Sequence, residues 1–216
     1  LDGDGVNDLA VGAFHVDATA SSNPSSGLER GAVFIMFMNI EGDVKSTVEI
    51  NGASGLGIAK KDHFGRSVAN IGDLDGDGVN DLAVGAFSDD GAGNNRGAVW
   101  ILFMDIDGTV KSYYEIDDDE VSGPVLRGND NFGRSVANIG DLDGDGVNDL
   151  AVGTGFDGNR EGAVYIMFMN IDGTVKSTEP INDTTTGEDL LEVGDYFGDS
   201  VANIGDLDGD GVNDLA

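Results

Sequence analysis

The sequence has no cysteine, only 3 prolines and few basic residues, since 11 Lys and Arg stand against 41 Asp and Glu. Without cysteine the chain cannot be a disulfide-stabilised scaffold. Its net charge of -30 repels phosphate backbones, which excludes nucleic-acid binding. No apolar run reaches the roughly 18 residues that a spanning helix needs, so the chain is predicted not to cross a membrane. What the chain has in excess is glycine and aspartate, and that excess needs a cause.

The cause is an internal repeat. The decapeptide LDGDGVNDLA occurs four times, starting at Leu1, Leu74, Leu142 and Leu207, with spacings of 73, 68 and 65 residues. Other segments recur in phase with it, including the run that starts at Phe64 and returns at Phe132 and Phe197. A fixed period of this length is typical of a repeat architecture. The sequence therefore predicts one array with units 1–73, 74–141 and 142–206, in which 207–216 starts the next unit.

Each unit is predicted to contain four short antiparallel strands, which in the second unit cover 67–71, 81–87, 98–104 and 109–116. The third segment is apolar without a break, which is typical of a strand buried on both faces. Its β-branched and aromatic content argues against a buried helix. Asp107-Gly108 between the third and fourth segments predicts a hairpin. The expected fold is all-β, built from tandem four-stranded antiparallel blades of the propeller type.

An acidic loop lies between the first two predicted strands of each unit. In residues 73–81 carboxylates stand at positions 1, 3, 5 and 9, and glycine stands at position 6, where a calcium loop needs a sharp turn. Oxygen ligands without His or Cys suit Ca²⁺ before Mg²⁺. A solvated acidic turn is the alternative, because Asp and Gly are ordinary turn residues. Four copies that keep these positions favour a metal loop, with about one ion per loop.

The repeats resemble the FG-GAP family. The resemblance rests on Phe64-Gly65, the Asp-x-Asp-x-Asp-Gly-x-x-Asp loop and Val84-Gly85-Ala86. FG-GAP repeats build the β-propeller of integrin α subunits and occur in many bacterial surface proteins, so the resemblance implies four-stranded blades with Ca²⁺ in the loop. By position the resemblance implies one set of ligands in each of the four loops, and the first loop lacks its opening aspartate. The implied ligands, loop by loop, are Asp2, Asp4, Val6 and Asp8; Asp73, Asp75, Asp77, Val79 and Asp81; Asp141, Asp143, Asp145, Val147 and Asp149; Asp206, Asp208, Asp210, Val212 and Asp214.

Two features depart from the family pattern. The Gly-Ala-Pro element becomes Gly-Thr-Gly at Gly153, which predicts different packing at that blade edge. Three units are also too few to close a ring, because propellers have at least about four blades. We expect the chain to be part of a longer array that is either a larger closed propeller or an open filament. The expected partners are therefore neighbouring blades or identical chains.

Nothing in the sequence indicates an enzyme. His15 and His63 do not recur between units and are expected to have a surface role, and no Gly-x-Ser-x-Gly nucleophile motif is present. Residues 117–120 form a unique acidic run that is expected to be a solvated loop. Trp100, Tyr165 and Phe34 occupy equivalent positions in the third strand, so they are expected in the core. Asn182 begins an acceptor sequence for N-glycosylation.

The expected function is a calcium-binding structural or adhesive module, outside the cell or on its surface, within a longer surface protein or fibre. Extracellular modules bind Ca²⁺ at about 10⁻⁴–10⁻³ M, which fits that location. The alternative is a propeller that binds a protein or carbohydrate through its variable loops, which are 15–29, 88–95 and 157–160.

Overall fold

The computed structural model describes residues 1–16, 28–91, 93–156, 160–186 and 191–216. Parts of the variable loops, at 17–27, 92 and 157–159, therefore lie outside the described residues. Within the described ranges the chain has thirteen strands and one short helix, namely β1 Leu9–Ala13, β2 Ala32–Met38, β3 Val44–Asn51, β4 Ser67–Gly72, β5 Asp81–Ala86, β6 Ala98–Met104, β7 Val110–Ile116, β8 Phe132–Gly140, β9 Asp149–Thr154, β10 Ala163–Met169, β11 Val175–Ile181, α1 Asp183–Thr186, β12 Asn203–Gly205 and β13 Asp214–Leu215.

The strands form antiparallel sheets of consecutive strands, as the repeat predicts. Sheet 1 contains β1, β2 and β3, sheet 2 contains β4 to β7, sheet 3 contains β8 to β11, and sheet 4 contains β12 and β13. The four strands predicted for the second unit are confirmed to within two residues at each end. The sheets do not close into a ring. None of the helices in the described part of the chain is long and apolar enough to cross a membrane.

The connection between β6 and β7 is longer than a two-residue Asp-Gly hairpin turn. It spans residues 105–109 and is closed by hydrogen bonds from the Asp105 amide to the Thr109 carbonyl, at 2.8 Å, and from the Gly108 amide to the Asp105 carbonyl, at 2.9 Å. Gly108 adopts a left-handed backbone with φ of 82°, which glycine tolerates without steric cost. The hairpin is confirmed, and its turn is a wider loop next to a register shift at Phe103 and Met104.

The core lies between successive sheets, and β6 is buried on both faces as predicted. Trp100 and Leu102 on one face belong to the apolar cluster shared with sheet 1, whereas Ile101 and Phe103 on the other face belong to the cluster shared with sheet 3. Trp100 is 1% exposed, so the core position expected from the sequence is confirmed for it. Tyr165 is also buried, whereas Phe34 on β2 is only half-buried.

The Phe-Gly motif explains how one sheet joins the next. Phe132 pairs with Gly97 in an isolated parallel bridge, and its ring packs edge-on against Tyr165 at a centroid distance of 5.9 Å. The following Gly133 accepts a hydrogen bond at its carbonyl from the Ser67 hydroxyl at 2.8 Å. Phe64 and Phe197 make the same parallel bridge to the preceding sheet. The motif therefore ends each connection by anchoring the new sheet to the old one.

Asparagine side chains also link the first strands of successive sheets. The Asn138 side-chain amide donates to the Asn70 carbonyl at 3.0 Å, and the Asn203 amide donates to the Asn138 carbonyl at 3.0 Å. Asn148, in the acidic loop of sheet 3, donates to the Ile71 carbonyl at 2.9 Å. These bonds hold the acidic loops at one end of the stack in a regular row.

The Gly-Thr-Gly sequence that begins at Gly153 departs from the family pattern and changes the packing of the residues that follow Gly153. Gly153 itself keeps its close contact with the next sheet. A β-carbon on Gly153 would lie 1.9 Å from the Gly198 carbonyl oxygen, as at the equivalent glycines of the earlier units. Thr154 is fully buried, and its hydroxyl accepts a hydrogen bond from the Ala163 amide at 3.0 Å. The following Gly155 leaves room for Arg134, whose Cδ lies 2.6 Å from where a β-carbon would be.

Candidate metal centres

The acidic loops connect the first two strands of sheets 2, 3 and 4. In the loop of sheet 2, Asp73, Asp75 and Asp81 each place one carboxylate oxygen within 4.8 Å of the others. Asp141, Asp143 and Asp149 form the equivalent group in sheet 3. Three convergent carboxylates in a nine-residue loop repel one another unless a cation or a proton lies between them. This repulsion makes each loop a candidate cation site.

Local hydrogen bonds give the loop its shape. The carboxylate of Asp73 accepts the backbone amides of Asp77 and Gly78, both at 2.9 Å. Asp77 in turn accepts the amide of Val79 at 2.8 Å. Aspartate side chains that accept amides a few residues further on stabilise tight turns. The same bonds recur around Asp141, so the sequence alone specifies this geometry in both loops.

The last aspartate of the loop is buried and serves two parts of the sheet. Asp81, with 0% exposure, accepts the Leu74 amide at 2.8 Å and the Met104 amide at 2.9 Å. Burial raises the pKa of Asp81, and it raises the pKa of the equivalent Asp149. A cation in the loop would favour the charged form and offset that cost.

In sheets 2 and 3, a lysine from the fourth strand reaches over the acidic loop of the same sheet. Lys111 on β7 lies 2.6 Å from an Asp75 carboxylate oxygen and also contacts Asp77. Lys176 on β11 bridges Asp143 and Asp145 in the same way. Hydrogen bonds to these carboxylates raise the pKa of both lysines. The ammonium group therefore marks a point at which the loop attracts positive charge.

Sequence reasoning missed these lysines, although a signal for them was present. Val-Lys-Ser recurs in phase in the three units, at Lys45, Lys111 and Lys176. The recurrence indicates a common role, but the contact depends on the register between the strand and a loop more than thirty residues earlier. Lys45 makes the same contact in sheet 1, with Asp2 at 2.7 Å and with Asp4.

The structure brings together part of each predicted ligand set. Positions 1, 3 and 9 converge in the loops of sheets 2 and 3, whereas in sheet 4 the convergent group is Asp206, Asp208 and Asp210. Asp214 there accepts the Leu207 amide at 2.7 Å. In the first loop Asp8 lies 2.7 Å from the Leu1 amino group. The carbonyl ligands at Val6, Val79, Val147 and Val212 stay predictions.

A second group of carboxylates lies apart from the acidic loops and comes from the β3–β4 connection, the β5–β6 connection and β7. Asp62 and Asp89 are buried, with exposures of 2% and 7%. Burial and then the charge of Asp89 raise the pKa of Asp62 to about 7. Burial and then Asp89 and Asp117 raise the pKa of Glu115 to about 7. No periodic pattern indicates this group, because Asp62 and Asp89 lie in different connections and Glu115 lies on β7.

The acidic run 117–120 is not simply solvated, contrary to expectation. Asp118 forms an ion pair with Arg96, and its carboxylate is mostly buried, with 10% side-chain exposure. Glu120 accepts a hydrogen bond from the Tyr114 hydroxyl, which raises the pKa of Tyr114 to about 12. At the other predicted surface site, the side chain of Asn182 accepts the Thr184 amide at 3.0 Å, next to α1. Glycosylation of Asn182 stays a prediction.

Stacked sheets, glycine contacts between them and repeated acidic loops define an array of propeller-type blades. Residues 64–102 and 132–167 match the FG-GAP repeat. The chain thus carries FG-GAP repeats of the integrin α type, as the sequence predicted, and such repeats are not enzymes.

Several animal integrin α chains are similar to this chain. Integrin alpha-PS5 of Drosophila melanogaster is 31% identical over 194 residues, which cover 89% of this chain and 18% of that protein. Integrin alpha-4 of Xenopus laevis and integrin alpha-11 of Homo sapiens are each 34% identical, over 71% of this chain and over 14% and 12% of their own lengths. The chain thus spans less than a fifth of these relatives, and the matches do not show the bacterial type.

Proposed function

We propose that this chain is a calcium-stabilised segment of an integrin-α-like propeller that works outside the cell, in adhesion or in the structure of a surface protein. The observation that carries the proposal is the group of Asp73, Asp75 and the buried Asp81, which is repeated at Asp141, Asp143 and Asp149. Oxygen-only ligands in a flexible glycine-containing loop are the ligands that Ca²⁺ prefers. The integrin α relatives support an extracellular location, where Ca²⁺ is abundant.

In this proposal Ca²⁺ acts on folding, since each ion would connect the first two strands of a sheet. The ligands would be the loop carboxylates together with the carbonyl at position 7. An ion that binds the folded sheet and not the unfolded chain adds its binding free energy to stability. Neighbouring sheets of the same kind, from this array or from identical chains, would cover the exposed side chains of Leu9 and Val11 on β1.

The test is thermal unfolding of the intact protein with Ca²⁺ at 1–2 mM, which is about the extracellular range, and with excess EDTA. The proposal predicts a melting temperature that rises with Ca²⁺ concentration. The double variant Asp73→Asn/Asp141→Asn should lose most of that rise, while the exposed Asp43→Asn should keep it. An unchanged melting temperature in EDTA would rule out structural Ca²⁺.

A ligand-binding propeller is the second candidate, and one cleft favours it. The cleft has a volume of about 500 Å³ and is lined by Phe87, Asn95, Asn129, Asn131 and Phe156 among others. Aromatic and amide side chains around an open cleft can bind a peptide or a sugar. Retention of the protein on a glycan or protein array, and its loss in Asn129→Ala, would support this function. Electron microscopy of the intact protein would separate closed rings from the filament expected of a fibre.

A further inference from the structure

The two histidines of the chain meet at the junction of sheets 1 and 2, although they are 48 residues apart in sequence. Their ring centroids are 5.2 Å apart, and Glu29 lies between them. The His15 Nδ1 atom is 3.7 Å from one carboxylate oxygen of Glu29, and the His63 Nε2 atom is 3.8 Å from the other. The expectation of a surface role therefore does not describe these histidines fully, because the fold places both of them next to the same carboxylate.

We propose that His15, Glu29 and His63 bind a divalent transition metal ion, Zn²⁺ in the first instance, that links sheet 1 to sheet 2. Each residue offers one ligand atom, and the three atoms lie within 4.8 Å of one another. In a tetrahedral zinc site with bonds of about 2.0–2.1 Å, two ligand atoms are roughly 3.4 Å apart. The two imidazole nitrogens lie 3.7 and 3.8 Å from different oxygens of Glu29, and the three ligand atoms lie within 4.8 Å, so the side chains must move closer together to complete the site.

The ligand chemistry distinguishes this group from the acidic loops. Two imidazoles and one carboxylate suit Zn²⁺ and similar ions, whereas the all-oxygen loops suit Ca²⁺. His15 is largely exposed, with 64% side-chain exposure, so an ion can enter and a water can take the fourth position. The net charge of -30 also concentrates cations near the protein.

The backbone holds the three residues in place. The Gly31 amide donates to the Val16 carbonyl at 3.0 Å, which fixes the chain next to His15 relative to the chain next to Glu29. The Phe64 amide donates to the Arg30 carbonyl at 2.9 Å, which does the same for Glu29 and His63. These bonds mean that little backbone conformational entropy remains to be lost on binding.

The ring of His63 is itself pre-oriented. It stacks on Phe87 with a centroid distance of 4.9 Å and an interplanar angle of 15°, and it packs edge-on against Phe14. Burial lowers the pKa of His63, with the nearby His15 as the next cause. The two ring contacts limit the orientations that the His63 side chain can adopt.

The group interrupts the repeat, as a site with a separate role is expected to do. Asn131 takes the place of His63 in the next unit, and it has nearly the same left-handed backbone, with φ of 59° against 58°. Asparagine is among the residues that best tolerate this conformation. His63→Asn is thus a substitution that the fold already accommodates at an equivalent position, which makes it a suitable test variant.

The experiment is a Zn²⁺ titration of the intact protein in saturating Ca²⁺, followed by competition with a chromophoric chelator. Saturation with Ca²⁺ keeps the acidic loops from binding Zn²⁺ and adding to the measured stoichiometry. We expect the wild type to bind one more Zn²⁺ than His63→Asn and Glu29→Gln, or to bind it at least about tenfold more tightly, since even the partners of ligands contribute that much. Glu41→Gln, an exposed glutamate in the β2–β3 loop, is the matched control and should bind like the wild type.

Two further measurements distinguish the loss of the metal site from a loss of folding in the variants. Melting in Ca²⁺ without Zn²⁺ should give a cooperative transition for His63→Asn, lowered only by the loss of the ring contacts, and Zn²⁺ should raise the melting temperature only in the wild type. If His63→Asn does not fold, His15→Ala carries the test, because that ring is mostly exposed. Co²⁺ in place of Zn²⁺ should give the visible absorption of a tetrahedral site. Equal Zn²⁺ stoichiometry and affinity in the wild type and in the folded variants would overturn the proposal.

Discussion

Gly85 of sheet 2 and Gly133 of sheet 3 are in backbone contact, so close that a β-carbon on Gly85 would lie 1.9 Å from the Gly133 carbonyl oxygen. The contact joins the Gly of the Gly-Ala-Phe element to the Gly of the Phe-Gly motif. It explains in steric terms why both motif positions are glycine. The sheets can approach this closely only where neither backbone carries a side chain.

Gly85→Ala is therefore expected to destabilise the protein strongly. The methyl group must push sheet 3 away, and overpacking of this kind costs about 1–3 kcal/mol or more. Gly52→Ala is the control, because its β-carbon would lie 3.1 Å from the flexible Arg30 side chain and 3.5 Å from the Ile58 carbonyl oxygen, which is an ordinary contact distance. Urea unfolding in Ca²⁺ measures both free energies. Equal losses in the two variants would contradict the steric explanation.

Lys111→Met is expected to increase the affinity of the acidic loop for Ca²⁺. The ammonium group contacts Asp75 and Asp77, so it competes with an ion for the same carboxylates. Exposed ion pairs are weak because water screens them, so removing the two contacts should lower the Kd only several-fold. Calorimetric titration with Ca²⁺ measures the change, and the exposed Lys60→Met serves as the control. Weaker Ca²⁺ binding in Lys111→Met would mean that the lysine supports the loop rather than competes for it.

Asp81→Asn and Asp75→Asn are expected to have different unfolding free energies in the absence of calcium. Asp81 accepts two buried backbone amides, at 2.8 and 2.9 Å, and an asparagine has only one acceptor oxygen. Leaving one amide unpaired should cost about 1–3 kcal/mol of unfolding free energy even in EDTA. Asp75 is exposed, so Asp75→Asn should change stability only when Ca²⁺ is present. Identical unfolding curves for the two variants in EDTA would contradict the structural role of Asp81.

The buried carboxylates predict an unusual dependence of stability on pH. Asp62 and Glu115 have folded-state pKa values raised to about 7, whereas in the unfolded chain they are about 4. The folded state thus holds more protons between these values, and stability is expected to fall as the pH rises through this window. The loss of stability is about half-way through its last step at pH 7 and is complete only well above that pH, where both groups are charged in the folded state too.

The double variant Asp62→Asn/Glu115→Gln tests this dependence. It should flatten the decline in melting temperature between about pH 4.5 and 7.5, because neither amide titrates. The measurements need EDTA throughout, so that protonation of the acidic loops does not change the Ca²⁺ occupancy. Glu41→Gln should keep the wild-type slope. A wild-type profile that rises through this window would contradict the raised pKa values.

The repeat made most of the fold predictable. The four strands of sheet 2 follow from local patterns, since an unbroken apolar run rich in β-branched and aromatic residues, such as 98–104, favours a strand between two cores. The acidic loops were equally predictable from the sequence, because aspartates such as Asp73 and Asp77 make their hydrogen bonds to residues at most five positions away. Structure that is stabilised by contacts between nearby residues can therefore be predicted from the local sequence.

The remainder depends on contacts between distant segments. The lysines reach loops that lie more than thirty residues earlier, and their contact follows from sheet register. His15 and His63 meet because the parallel bridge between Gly31 and Phe64 aligns two connections that sequence spacing does not relate. The carboxylates of Asp62, Asp89 and Glu115 converge from three segments for the same reason. Periodicity predicts elements, whereas these sites arise from how the elements are stacked.

The asparagine links between sheets have a direction. Asn203 donates to the strand of Asn138, and Asn138 donates to the strand of Asn70, so each sheet gives a side-chain donor to the sheet before it and a carbonyl acceptor to the sheet after it. The two surfaces of a junction are therefore different and cannot pair with themselves. A stack of such sheets is polar: it has a head and a tail, and a further blade joins it in only one orientation.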